Sequence, residues 1–98
     1  MKVYISGAIT GVENYKEQFD KAQKELEKQG FEVINPTLFD KAMPENTTYE
    51  EYMKLDLFLL DLCDSIYMLK NWNKSCGANR EYGYALAQDK IIMYEKGV

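Results

Sequence analysis

Apolar and polar positions follow two different periods along this chain. Lys2-Val-Tyr-Ile-Ser6 is a short β-branched and aromatic run that stops at Gly7, which reads as a strand. From Val12 to Gln29 the period becomes helical: Tyr15, Phe19, Ala22 and Leu26 share one face, Lys and Glu fill the other, and Gly30 is a stop. Phe31-Glu-Val-Ile-Asn35 returns to strand and is closed by Pro36. Pro36 to Asn46 keeps neither period, and Leu38, Phe39 and Met43 either line a wall there or pin the loop to the body. Thr48 with Glu51 has the spacing of a capping box, and Thr47 or Thr48 starts a helix that runs to about Leu62. Its stripe of Tyr52, Leu55, Leu59 and Leu62 is widened by Leu57, Phe58 and Leu60. A helix apolar nearly all round is buried on more than one side, either by the sheet and a second subunit or by a neighbouring helix. Ser65-Ile-Tyr-Met-Leu69 is the third strand, Lys70 to Gly77 a loop, and Ala78 to about Gln88 a helix with Tyr82, Ala85 and Leu86 on its core face. Asp89-Lys90 turns the chain into a last strand, Ile91-Ile-Met-Tyr94.

Strands and helices that alternate in this way predict right-handed βαβ units and a parallel sheet. The expected fold is α/β: a small three-layer flavodoxin- or Rossmann-like sandwich with a four-stranded parallel sheet in the order 2-1-3-4, one domain over residues 1–98. In that order the loops after strands 1 and 3 meet at the switch point, where open α/β sheets place ligands. Tyr4, the loop Gly7-Ala8-Ile9-Thr10-Gly11, the stretch from Trp72 to Gly77 and Glu81 then share one crevice, into which Asp56 projects from the preceding helix.

Composition narrows the chemistry. A net charge of -4 and a pI near 4.8 argue against polymeric nucleic acid as partner, but leave room for a small phosphorylated ligand. There is no histidine, which removes His-based acid–base catalysis and His metal sites. Cys63 and Cys76 lack a metal spacing and read as reduced thiols of a cytoplasmic protein. The Met-Lys start leads into a run too short for a signal peptide, and no apolar run approaches membrane-spanning length. Eight tyrosines suit a wet cleft or an interface.

Gly7 to Gly11 reads either as a plain turn or as a small-residue loop that lets backbone approach a ligand; its spacing is not the dinucleotide fingerprint. Glu81, placed in the first turn of its helix, either complements the helix dipole or acts as an ionised nucleophile. Asp56 lies among Tyr52, Met53, Phe58 and Leu59, so it either faces a polar cleft or partner or is a satisfied structural carboxylate. Asp64, between a helix and a strand, is a turn or cap residue.

Val3-Tyr4-Ile5-Ser6-Gly7, Asp56, Asp64 and Gly77-Ala-Asn-Arg-Glu81-Tyr-Gly-Tyr-Ala85 together resemble the nucleoside 2-deoxyribosyltransferase superfamily and its relative, the 2′-deoxynucleoside 5′-monophosphate N-glycosidase. The likeness covers nearly the whole chain. Asn71 to Glu81 is similar to the Gly-Trp-x-x-Ser-x-Gly-Ala-x-x-Glu loop of short, often phage-encoded members. The resemblance implies Glu81 as nucleophile, Asp56 as the carboxylate that assists at the base or orients the sugar, and Tyr4 as the group that positions the nucleophile. It also implies that Ser75, Trp72, Gly77 and the Gly7–Gly11 loop contact the substrate, with Ser75 tilting the reading towards 5′-phosphorylated ligands.

The expected activity is therefore cleavage of an N-glycosidic bond, or transfer of its base, on a (deoxy)nucleotide or nucleoside. A carboxylate beneath C1′ stabilises or traps an oxocarbenium-like state while a second carboxyl group helps the base depart; neither route calls for a metal or cofactor. A catalytically silent module that captures a nucleotide, and a bare interaction scaffold, are the alternatives. A homodimer or higher homo-oligomer is expected through the apolar middle helix.

Overall fold

The computed structural model describes residues 1–96. Strands β1 (Lys2–Ser6), β2 (Glu32–Ile34), β3 (Ser65–Met68) and β4 (Ile91–Tyr94) form one parallel sheet in the order β2-β1-β3-β4. This is the order the alternating pattern predicts. Three α-helices connect them: α1 (Tyr15–Lys28), α2 (Tyr49–Asp61) and α3 (Cys76–Ala87).

The helices divide between the two faces because the chain reverses its direction across the sheet. The step from β1 to β2 runs one way, and the steps to β3 and β4 run the other, so crossovers of a single hand fall on opposite faces. Residues in a strand alternate sides, and the core follows that alternation. Val3, Ile5, Tyr67 and Leu69 meet Phe19, Ala22 and Leu26 of α1, while Tyr4, Ile66 and Met68 meet Leu59 and Leu60 of α2 and Ala78 and Ala85 of α3. Ser6 falls on the second side with Tyr4, two positions nearer the end of β1.

Besides Leu86, which is 50% exposed instead of lying on the core face of its helix, three details depart from the pattern reading. Part of the stretch after β2 is ordered as a 3-10 helix, Pro36–Ala42. Pro36 pre-sets its first φ, and buried Asn35 brackets it: Asn35 Oδ1 accepts from Thr37 N and Oγ1 at 3.1 and 2.7 Å, while Nδ2 donates to Asp20 and Gln23 of α1 at 3.1 Å each. The second concerns α2. Its capping box forms, with Glu51 N donating to Thr48 Oγ1 at 3.1 Å and Thr48 N donating to Glu51 Oε1 at 2.8 Å. The helix that flanks it is α3, joined through the Arg80–Glu50 pair at 2.8 Å and the Tyr84–Asp61 hydrogen bond at 2.9 Å. Phe58 and Leu62 stay outward at 62% and 51% exposure.

The third departure matters most. Helix α3 begins at Cys76, two residues before the expected Ala78. Ser75 is its N-cap: Oγ accepts from Ala78 N at 3.1 Å, and its carbonyl accepts from Asn79 N at 3.0 Å. A serine in extended conformation satisfies one first-turn N–H directly, so the helix nucleates earlier and Glu81 lies in its second turn. Among the described residues no helix is long and apolar enough to cross a membrane.

Candidate functional site

The inward face of α3 is Ala78, Glu81 and Ala85, residues at helical spacing in which one carboxylate sits between two methyl groups. The alanines let the helix approach the sheet closely, and the carboxylate meets two hydroxyls from β1. Tyr4 Oη donates to Glu81 Oε2 at 2.7 Å and Ser6 Oγ donates to Oε1 at 2.6 Å. Such short bonds to a carboxylate are the strong, charge-assisted kind. Tyr4, Ser6 and Glu81 are all buried, Glu81 at 5% exposure.

Among the described residues no cation offsets this buried charge, and the second turn of α3 lies beyond the reach of the helix terminus. Burial dominates and raises Glu81 from 4.5 to about 7, with the Ser6 and Tyr4 hydrogen bonds opposing the rise and the charge of Asp56 adding to it. The expectation of a first-turn carboxylate held ionised by the dipole is thus corrected: Glu81 lies in the second turn of α3, and burial shifts it towards the protonated form. Tyr4 is held well above the ordinary tyrosine value by burial, then by the charges of Glu81 and Asp56, so it remains a donor throughout the physiological range.

Asp56 is half-buried on α2, at helical spacing from buried Met53 and Leu60, and lies near enough for its charge to raise both Glu81 and Tyr4. Burial, followed by the charge of Asp40, raises Asp56 from 3.8 to about 7. Asp40 comes from the 3-10 segment after β2; it too is raised by burial, while Lys16 and Tyr15 pull it down. The structure therefore gathers Tyr4, Glu81 and Asp56, the three residues expected to carry the chemistry, at the joint of β1, α2 and α3.

The loop residues are distributed differently. Gly7 is buried against β3's end: a Cβ there would stand 2.8 Å from Leu69 Cδ1 and 2.9 Å from Leu69 Cβ. Ala8 is half-buried, Ile9 packs into the α1-side core, Thr10 is exposed, and Gly11 turns the chain at φ +80° with Val12 N donating to Ile9 O at 3.1 Å. Gly77 admits α2, since a Cβ there would meet Tyr49 Oη at 3.3 Å and Met53 Sδ at 3.4 Å. The Trp72 ring stacks on Tyr82 with centroids 4.6 Å apart, which anchors the 3-10 turn Trp72–Lys74 to the β4 side of α3 and not to the Glu81 cluster. Arg80, next in sequence to Glu81, points away from it: its guanidinium grips Glu50 at 2.8 and 3.0 Å and lies 5.7 Å from the centroid of the Tyr49 ring. Asp64, expected as a turn or cap residue, instead reaches across to β1, where its Oδ2 accepts from Lys2 N at 2.9 Å.

Residues 1–94 match the profile of a family described as a domain of unknown function, DUF4406. The chain belongs to the DUF4406 family. A search of curated proteins finds no match to it. Among solved structures, this DUF4406 chain is similar to the 2-deoxyribosyltransferase of the psychrotolerant bacterium Bacillus psychrosaccharolyticus, with a TM-score of 0.76 and 22% identity over 96% of this chain and 71% of that one. It is also similar to a 2-desoxiribosyltransferase from Leishmania mexicana, with a TM-score of 0.70 and 19% identity over 95% of this chain and 62% of that one. The DUF4406 chain thus has a nucleoside 2-deoxyribosyltransferase-like fold, and it spans less than two thirds of the Leishmania protein.

Two members of the DUF4406 cluster escape the sequence reading. Ser6 was legible in principle, because a strand that turns Tyr4 towards α3 must turn Ser6 the same way. Asp40 left no signal: it lies in a stretch without periodicity, and only the 3-10 turn carries it to Asp56. Chemically, the site holds two carboxyl groups, each raised by burial to about 7, and a tyrosine held well above its ordinary value. One carboxyl can keep a proton while the other gives its proton up, the division of roles that acid-assisted displacement requires.

Proposed function

We propose that this DUF4406 chain breaks an N-glycosidic bond of a nucleotide or nucleoside, with Glu81 as nucleophile or electrostatic partner beneath C1′. The observation that carries the reading is the buried Glu81 carboxylate with a hydroxyl on each oxygen and a second carboxyl group, Asp56, close enough to raise it. Asp56, also raised to about 7, serves as the acid that protonates the departing base. Tyr4 fixes the orientation of Glu81. Ser75 and the first-turn N–H groups of Cys76 and Gly77, which have no intrahelical acceptor, receive a 5′-phosphate or the sugar. Gly7 to Gly11 and Trp72 complete the substrate side by shaping the loops at the ends of β1 and β3. Water at C1′ gives hydrolysis, and a second base gives transfer. The similarity in fold to 2-deoxyribosyltransferases supports the same reaction class. Free thiols at Cys63 and Cys76 suit a reducing compartment such as the cytoplasm, and a second copy of the chain is the expected cover for Phe58 and Leu62.

One observation favours a second reading, a nucleotide-binding module without turnover: at 5% exposure and with both oxygens engaged, Glu81 is poorly open to attack. Incubation with deoxy- and ribonucleoside monophosphates, nucleosides and NAD-like dinucleotides, followed by chromatography, tests the two. Free base that vanishes in Glu81→Ala upholds the enzyme. Intact compounds that raise the melting temperature uphold the binding module, and neither signal overturns both.

A further inference from the structure

Tyr4 and Ser6 hold different oxygens of Glu81, and they differ in how they can let go. The Tyr4 ring is fully buried in the core between the sheet and the α2–α3 layer, so its hydroxyl cannot leave Oε2 without unpacking that core. Ser6 holds Oε1 through one rotatable bond, at the last position of β1, where the strand opens into the Gly7–Gly11 loop. A hydroxyl on a short side chain exchanges acceptors by rotation alone.

We propose that Ser6 is a positioning residue for Glu81, which keeps Oε1 paired in the resting site and frees it, by rotation of its hydroxyl, as the oxygen that bonds to C1′. This rests on the reading of Glu81 as nucleophile and adds the partner that governs it. In the first step the Oε1–C1′ bond forms as the bond from C1′ to the base nitrogen breaks; the electron pair goes to the base and its proton comes from Asp56. In the second step water adds at C1′ and gives its proton to Asp56, while the Oε1–C1′ pair returns to the carboxylate. Ser6 then rebinds Oε1. A buried carboxylate left with one donor would be costlier to ionise, so Ser6 also sustains the ionised fraction between turnovers. The titratable groups that face Glu81 are Tyr4 from β1 and Asp56 from α2, with Asp40 behind Asp56; β3 presents Ile66 and Met68 on that side.

The test compares wild type, Ser6→Ala, Ser6→Thr and Tyr4→Phe in two measurements. One is the pH profile of base release from 2′-deoxyribonucleoside 5′-monophosphates. The other is a carbon NMR titration of Glu81 in protein labelled at glutamate carboxyls, with no ligand present. Ser6→Ala should move the acid limb of the profile and the Glu81 midpoint upward together, by about one to two pH units for a lost hydrogen bond to a charged group. Its plateau rate should fall less than that of Tyr4→Phe, because the Ser6 bond is broken during the reaction and the Tyr4 bond is not. Ser6→Thr, which retains the hydroxyl, should restore the midpoint. An unmoved midpoint in Ser6→Ala overturns the proposal, as does a plateau that falls as far as that of Tyr4→Phe. A wild type that releases no base overturns the nucleophile reading itself, and the step assigned to Oε1 falls with it, while a midpoint that still moves retains Ser6 as the group that holds the carboxylate.

Discussion

Glu81 holds a proton more tightly when folded than when unfolded, and this reverses the usual pH dependence of a carboxylate. An unfolded glutamate releases its proton near 4.5, whereas Glu81 in the fold retains it to about 7. Between those values the folded chain carries the extra proton, so raising the pH works against folding. The contribution is full below about 4.5 and lost as the pH rises through 7, and Asp56 acts in the same sense from 3.8 to about 7. Thermal unfolding should therefore show a lower melting temperature at pH 8 than at pH 5.5, with roughly 2 kcal/mol from Glu81 alone; in Glu81→Gln the difference should shrink. Tyr4→Phe removes a charge-assisted donor from a buried site and should slow base release at pH 7 by about one to two orders of magnitude, measured by product chromatography.

At the scale of the element, small residues decide how close the layers come. A Cβ on Gly7 would press on Leu69 Cβ, which is fixed to its backbone, so Gly7→Ala should destabilise by about 1–3 kcal/mol in denaturant titration. Thr48→Ala removes the Oγ1 that accepts from Glu51 N, while the Thr48 N bond to Glu51 Oε1 is kept, and should cost about 1 kcal/mol in the same assay. The capping box and the strand runs were legible in the sequence because each depends on local spacing, and the sheet order because strands and helices alternate in right-handed units. The start of α3 was harder to read: nothing in Ser75-Cys-Gly-Ala says which residue caps until the side chain is seen to accept from Ala78 N. That difference of two residues places Glu81 in the second turn, but the direction of its shift is set by burial against β1, which no local spacing announces. Tyr4, Asp56 and Glu81 were chosen by resemblance and chemistry, and the fold brings them together. Asp40 was invisible because its position depends on a 3-10 turn that carries no hydrophobic period.

For the whole molecule, the faces of α2 differ. One side is closed by the sheet, a second by α3, and the outermost carries Phe58 and Leu62 at 62% and 51% exposure. With a second copy on that face, sedimentation should give a species above the 11.4 kDa of one chain, and Phe58→Glu should return it to a single chain with its circular dichroism intact. The parallel sheet also has a consequence in time. β1 precedes every other strand in the chain, yet it is an inner strand that needs both β2 and β3 beside it. As the chain leaves the ribosome, β1 gains one neighbour when β2 emerges and keeps its other edge bare until residues 65–68 follow. A bare apolar edge recruits other chains, so a product that stops short of β3 should be the sticky one, and the Glu81 carboxylate can find its hydroxyls only after that danger has passed.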